Sequence, residues 1–247
     1  MRGPLLQLRR QIMLLARLAM LLLTCGWLLG PAPVAFANSI TVNSSSDTAD
    51  PGHCRLRDAI IAANTNAITN GCVAGQPGLD IIHFQFPIFC QVTTCKITLT
   101  SPLPKVTEAV TIDGIGLTPV ISGDHLYGIF DFDVVTAQLS NLYLIESNNN
   151  NGGAIHLDGA TLTLDRIHIA GSQSFFGGAI LEESGTLMVS RSEFISNTAS
   201  FGGAINQTGG VALISSSSFT ANVATASGGA ISVISFSRLD VSGSLFD

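Results

Sequence analysis

The sequence predicts an all-β protein built as a solenoid: a single-stranded parallel β-helix of about 25 residues per coil, entered through an N-terminal cap with one short α-helix. Three observations lead there. Gly-Gly-Ala-Ile recurs at Gly152–Ile155, Gly177–Ile180, Gly202–Ile205 and Gly228–Ile231, at steps of 25, 25 and 26 residues. Within each copy the apolar residues alternate, as in Leu162-Thr163-Leu164 and Ile167-His168-Ile169, which is the period of a strand with one buried face. Only 11% of the 247 residues are charged, too few to coat the exposed faces of long helices, while 25 glycines favour tight turns.

The chain opens on Arg2, Arg9, Arg10 and Arg17 with no acid, then the apolar run Leu18–Gly30, then Ala35-Phe36-Ala37. A basic start, an apolar middle and a small-residue end are the parts of a secretory signal peptide over residues 1–37, with cleavage after Ala37. The alternative is an uncleaved anchor, because Leu18–Ala37 is about long enough to cross a bilayer, although Pro31 and Pro33 break its end. These 37 residues hold Trp27 and three of the four Met, and they raise the mean hydropathy to +0.44. Beyond them no apolar run of membrane length follows, so no membrane span is expected in the mature chain. Seven basic residues then face seventeen acids, a net charge of −10 that weighs against a nucleic-acid partner.

Residues 38–96 read as the cap. Ser39–Val42 is a short strand candidate. Cys54–Asn64 is a helix, with Leu56, Ile60 and Ala63 on one apolar side. Laid across an open solenoid end, such a helix blocks edge pairing and water entry. Cys54, Cys72, Cys90 and Cys95 form an even set in an exported chain, which predicts disulfides. Four cysteines allow three pairings, and proximity favours Cys54 with Cys72 and Cys90 with Cys95. Zinc is the rival reading, unsupported by any CxxC pair or closely spaced His.

From residue 97 onward the solenoid is expected, with regular copies from Tyr127-Gly128-Ile129-Phe130, a degenerate first one. Other columns keep the register: Ala137, Leu162, Leu187 and Ala212; Leu139, Leu164, Val189 and Ile214; Leu144, Ile169, Phe194, Phe219 and Phe246. Equivalent residues on successive coils lie about 4.8 Å apart, so like side chains stack and bury one another. The pairs Gly152-Gly153, Gly177-Gly178, Gly202-Gly203 and Gly228-Gly229 suit a corner, and Asn197 and Asn222 suit hydrogen bonding within turns. All of these are read as structural.

Gly-Gly-Ala-Ile followed by Phe-x-x-Asn, here Phe194-Ile195-Ser196-Asn197 and Phe219-Thr220-Ala221-Asn222, resembles the repeat of the polymorphic outer-membrane proteins of chlamydiae, which are autotransporter adhesins. The resemblance covers about half the chain and implies a right-handed β-helix and a surface role. The segment Cys54-Arg55-Leu56-Arg57-Asp58-Ala59 resembles the CSLREA-type motif at the start of exported bacterial β-helix proteins, with Arg55 for the usual Ser and Asp58 for the usual Glu. That second resemblance implies pairing of Cys54 with a cysteine such as Cys72. It also implies first, irregular coils at Ile97–Leu99, Val110–Gly114 and Val120–Asp124.

Chemistry in such folds, as in pectate lyases and polygalacturonases, is done by acids gathered on the outer face of neighbouring coils. One cluster qualifies. Asp133, Asp158 and Glu183 share an offset in three successive copies, with Asp131 and His156 two positions earlier and Glu182 adjacent. Stacked carboxylates repel unless a cation or shared proton relieves them, and Ca²⁺ suits oxygen ligands from adjacent coils. The alternative, preferred here, is a solvated acidic face with no cofactor required. Arg166 and Arg191 form a second in-register pair beside Asp165 and Glu193, expected on another face and read as surface ion pairing. His156 and His168 have no evident Ser or Cys partner, and Ser215–Ser218 reads as turn rather than nucleophile. Phe175-Phe176 and Phe201 read as packing between corners, with a sugar-stacking platform as the alternative.

Two functional classes follow. The first is a non-catalytic exported protein, an adhesin, passenger or surface-structural element, outer-membrane-associated in a Gram-negative cell, with extracellular glycans or another cell's surface as partners. The second is a carbohydrate-active enzyme, a lyase or glycosidase, working on acidic polysaccharide. Lack of a convincing acid-plus-base constellation favours the first. Ser244-Leu245-Phe246-Asp247 breaks off where earlier copies continue, so a longer protein is expected.

Overall fold

The structure, a computed structural model, describes residues 38–85, 95–234 and 237–247. The expected signal peptide with its cleavage at Ala37, and Cys90, lie outside the described residues. The described residues form a parallel β-solenoid of about 25 residues per coil with one short helix, in agreement with the fold class predicted from the repeat.

Three strips of parallel strands make the solenoid, the first from Asn38, the second from Lys96 and the third from Phe130. The first pairs Asn38–Val42, Asp80–Phe84, Val110–Asp113, the front of Thr136–Ile145, the front of Ala160–Ala170, Gly185–Ser190, Val211–Ser215 and Arg238–Ser242. The second pairs Lys96–Thr98, Val120–Ser122, the rear halves of the two long strands, Glu193–Ile195, Ser218–Thr220 and Leu245–Phe246. The third pairs Phe130–Asp133, Ile155–Asp158, Ile180–Glu182, Ile205–Gln207 and Ile231–Val233.

Residues in the left-handed region make the corners. Between the first and second strips, Asn141, Arg166, Arg191, Ser216 and Gly243 all lie at φ between 47° and 55°. After the second strip, Glu146, Gly171, Ser196 and Ala221 lie at φ between 52° and 62°. Most of these are not glycine, so each corner carries a backbone cost of order 1 kcal/mol that the ladders on either side must offset. The glycine pair marks the corner before the third strip. Gly177 lies at φ 63°, and a Cβ on Gly178 would stand 2.1 Å from the carbonyl oxygen of Gly203 on the next coil. The first glycine therefore answers a backbone angle and the second a close approach of coils.

Inside, the predicted columns are the pairing register: Leu162 sits on Ala137 and under Leu187, and Phe194 on Ile169 and under Phe219. Phe194, Phe219 and Phe246 stack with centroids 4.7 and 4.8 Å apart and planes within 3° of parallel, the spacing that the strand ladder imposes. Beside them runs a polar ladder. The Ser147 and Ser172 hydroxyls are 2.6 Å apart, Ser172 N–H donates to Asn197 Oδ1, and Asn197 Nδ2 donates to Asn222 Oδ1 and to the Ile169 carbonyl. These side chains satisfy backbone groups left open where the strand bends, which is why polar residues persist in an apolar interior.

The helix spans Leu56–Thr65 and packs against the strands Asn38–Val42 and Asp80–Phe84. Those strands are the first rungs of the first strip, so the solenoid ladder already runs through the segment 38–96 that the sequence marks as cap. Cys54 and Cys72 are bonded and close an 18-residue separation. Cys95 is also disulfide-bonded. Arg55 donates to both oxygens of Asp58, at 2.5 and 2.9 Å, so the two departures from the CSLREA-type motif pair with each other. Arg57 holds Asp47 and the carbonyls of Ser101 and Pro102, tying the helix to the coil beyond.

Candidate functional site on the third strip

The third strip has an inward and an outward set of side chains. Phe130, Phe132, Ile155, Leu157, Ile180 and Ile205 point into the core. The intervening Asp131 and Asp133 face outward and pair in register with His156 and Asp158. Alternation therefore places four of the six candidate residues on one outer surface, and Glu183 follows them just past the end of Ile180–Glu182.

His156 is the hub. Its Nδ1 is 3.2 Å from Asp131 Oδ1, and its Nε2 is 3.5 Å from Glu183 Oε2, within ion-pair range but outside hydrogen-bond geometry. The hydrogen bond to Asp131, opposed by burial and aided by the charge of Glu183, raises the imidazole above its usual range. Burial pushes Asp131 up, but the hydrogen bond and charge of His156 and the charge of Lys105 outweigh it and hold the carboxylate below its usual range. Lys105 Nζ stands 3.5 Å from Asp131 and 3.6 Å from Asp133. Asp158 turns away from this network and accepts from the Ser184 hydroxyl at 3.4 Å.

Lys105 was not singled out from the sequence. It precedes the regular copies, yet the bridge of Val106 with Phe132 sets it in register beside Asp131. Stepping back one coil from Asp131 is the signal that finds it. Its ammonium already stands between Asp131 and Asp133, where a cation would relieve the stacked carboxylates. Among the described residues, no group of three or more His, Cys, Asp or Glu side chains is placed to hold a metal ion.

Glu182 does not join its neighbours. As the third residue of Ile180–Glu182 it follows the inward parity of Ile180, and it is fully buried between Leu157 and Gln207 in one interior column. The expectation of Glu182 on the outer patch is corrected by the same two-residue period that predicted the strand. Neither carboxyl oxygen has a partner in hydrogen-bond geometry, and burial pushes the group up to about 7; the Val211 N–H, close by but outside that geometry, offsets only part of the effect.

Arg166 and Arg191 lie at the corner between the first and second strips, apart from the acidic surface, and both reach Asp165. Phe175, Phe176 and Phe201 pack together at the glycine corner, with centroid distances of 4.6 to 5.9 Å, and Phe175 is half exposed.

Fold and surface together define a parallel β-solenoid whose third strip carries an outward ion network of Asp131, Asp133, Glu183, His156 and Lys105. The family model of the Chlamydia polymorphic membrane protein repeat matches residues 216–234. That span holds Phe219–Asn222 and the last Gly-Gly-Ala-Ile, and it contributes strands to the second and third strips. No curated protein and no solved structure matches the chain.

Proposed function

We propose that this protein is exported and displayed on the cell surface as a non-catalytic binding solenoid, an adhesin or passenger segment. The observation that carries the reading is the polymorphic membrane protein repeat at residues 216–234, whose strands continue the register of every earlier regular copy. The matched residues, most of one coil, lie on the same ladders as the earlier copies, which supports extending the reading to them. The state of the outer acidic surface supports a binding role over catalysis. His156 lies between Asp131 and Glu183, and Lys105 stands against Asp131 and Asp133, so every charged group there but Asp158 is engaged with another.

The test is antibody labelling of intact cells of the source organism, with beads coated in purified protein scored for retention on a host or neighbouring cell layer. Labelling before permeabilisation together with bead retention is the expected result. Labelling only after permeabilisation overturns the display. Release of new reducing or unsaturated ends from acidic polysaccharide, abolished by His156→Gln, replaces the binding role with the enzymatic one.

A further inference from the structure

Among the described residues, Arg55, Arg57, Lys96, Lys105 and Arg238 each face at least one carboxylate of their own. Arg166 and Arg191 differ, because they share the single carboxylate of Asp165. Asp165 is nearly buried, accepts also from the Ser190 hydroxyl at 2.8 Å, and holds both guanidinium groups at the solvent surface, where the Arg side chains are 54% and 58% exposed. Arg166 Nε also donates to Asn141 Oδ1 at 2.9 Å. These contacts use a minority of the ten N–H groups that two guanidiniums carry. On a chain of net negative charge, this corner is an anchored cationic pair with donors to spare.

Beside it lies a ring platform. Tyr143, His168 and Glu193 form one outward column of the second strip. The Tyr143 and His168 rings are 4.6 Å apart and tilted by 33°, and Tyr143 is 40% exposed. His168 Nδ1 is 3.1 Å from Glu193 Oε2, which fixes the imidazole. Thr118, Asn141, Tyr143, Arg166, His168, Arg191 and Glu193 line one groove of about 270 Å³, a volume near the low end for small-molecule sites.

We propose that this groove binds a sugar unit that carries a carboxylate. A pyranose ring presents an apolar C–H face that lies against an exposed aromatic ring. A planar carboxylate matches the two-pronged guanidinium donors. Glu193, Asn141 and Thr118 meet the hydroxyls, which need acceptors as well as donors. An acidic peptide would use the arginines but leave the ring platform and Glu193 without a match. The inference rests on the binding role proposed above for its setting, while its chemistry stands on the groove.

Calorimetric titration of the purified chain tests it with tetragalacturonic acid against its methyl ester, and with sialyllactose against lactose. The expected result is that at least one acid form binds about tenfold or more tightly than its neutral counterpart, and that raised salt weakens only the acid form. In the Arg166→Asn, Arg191→Asn double variant, acid and neutral forms bind alike. Asn suits the left-handed backbone at both positions, so the corner is preserved and a melting curve checks it. Tyr143→Leu weakens both forms. Absence of binding to either acid form, equal binding of acid and neutral forms, tighter binding of oligo-aspartate, or an unchanged folded double variant each overturns the proposal. Cell-layer retention that survives the double variant removes this ligand and leaves the display role standing. Acid-selective binding by a chain that is not labelled on intact cells does the reverse.

Discussion

Glu182 makes the interior of the solenoid sensitive to pH. It takes the place of an apolar residue in the column Phe132, Leu157, Glu182, Gln207, Val233, and both its oxygens are without a hydrogen-bond partner. Its raised value of about 7, against 4.5 for an ordinary Glu, comes from burial and not from a charged neighbour. Between those values the folded protein keeps a proton that the unfolded chain releases. Stability from this group is therefore full below about pH 4.5 and is lost as pH rises through 7. A shift of that size is worth about 3 kcal/mol. Glu182→Gln removes the titration while keeping the shape. Relative to the parent, the variant should gain little at pH 4.5, progressively more from pH 5 to 7, and about 3 kcal/mol by pH 8, equivalent to about 6 to 12 °C in melting temperature for a chain of this length. Thermal and urea melts of both proteins at half-unit steps from pH 4.5 to 8 measure it. An unpaired Gln amide adds a constant cost, so the slope with pH is the diagnostic. Parallel stability profiles for the two proteins would refute the burial argument.

Two glycines with the same motif position should behave differently. Gly178→Ala drives a methyl into the Gly203 carbonyl and should cost about 3 kcal/mol, whereas Gly229→Ala meets nothing closer than 3.8 Å and should change stability by less than about 0.5 kcal/mol in the same urea melts. Phe219→Ala opens the middle of the Phe194, Phe219, Phe246 stack and should lose about 3 to 5 kcal/mol, with hydrogen exchange accelerating in the adjacent coils before the rest. Cys54→Ser with Cys72→Ser should lower stability by about 3 kcal/mol, and adding reductant to the double variant should produce no further loss from this bridge.

Much of this solenoid is legible in the sequence because a repeat of 25 turns every packing preference into a column. Leu139, Leu164, Val189 and Ile214 are recognisable as one interior line from spacing alone, since each must bury the same face. The outer acidic surface is legible in part: Asp131, Asp133, His156 and Asp158 follow from strand parity. Glu182 departs from the patch because adjacency in sequence is not adjacency in space: successive residues of a strand face opposite ways. Lys105 escaped because the coils before Tyr127 keep the strand register while losing the repeat motif. The pairing of Arg55 with Asp58 escaped for a different reason: each reads as a mild departure from a motif, and only the shared turn of chain makes them partners.

The sequence by itself determined the coil length, the parallel ladder and the identity of the core columns, because these depend on periodicity and burial, which are local and repeated. Tertiary structure decided what each charge faces. Whether a carboxylate meets solvent, a lysine one coil back or an apolar interior depends on parity and on corner angles, and a single residue of offset reverses the outcome. Asp165 holding two arginines at the surface and Glu182 holding a proton in the core are both acids in register with a strand; their surroundings, not their spacing, separate their chemistry.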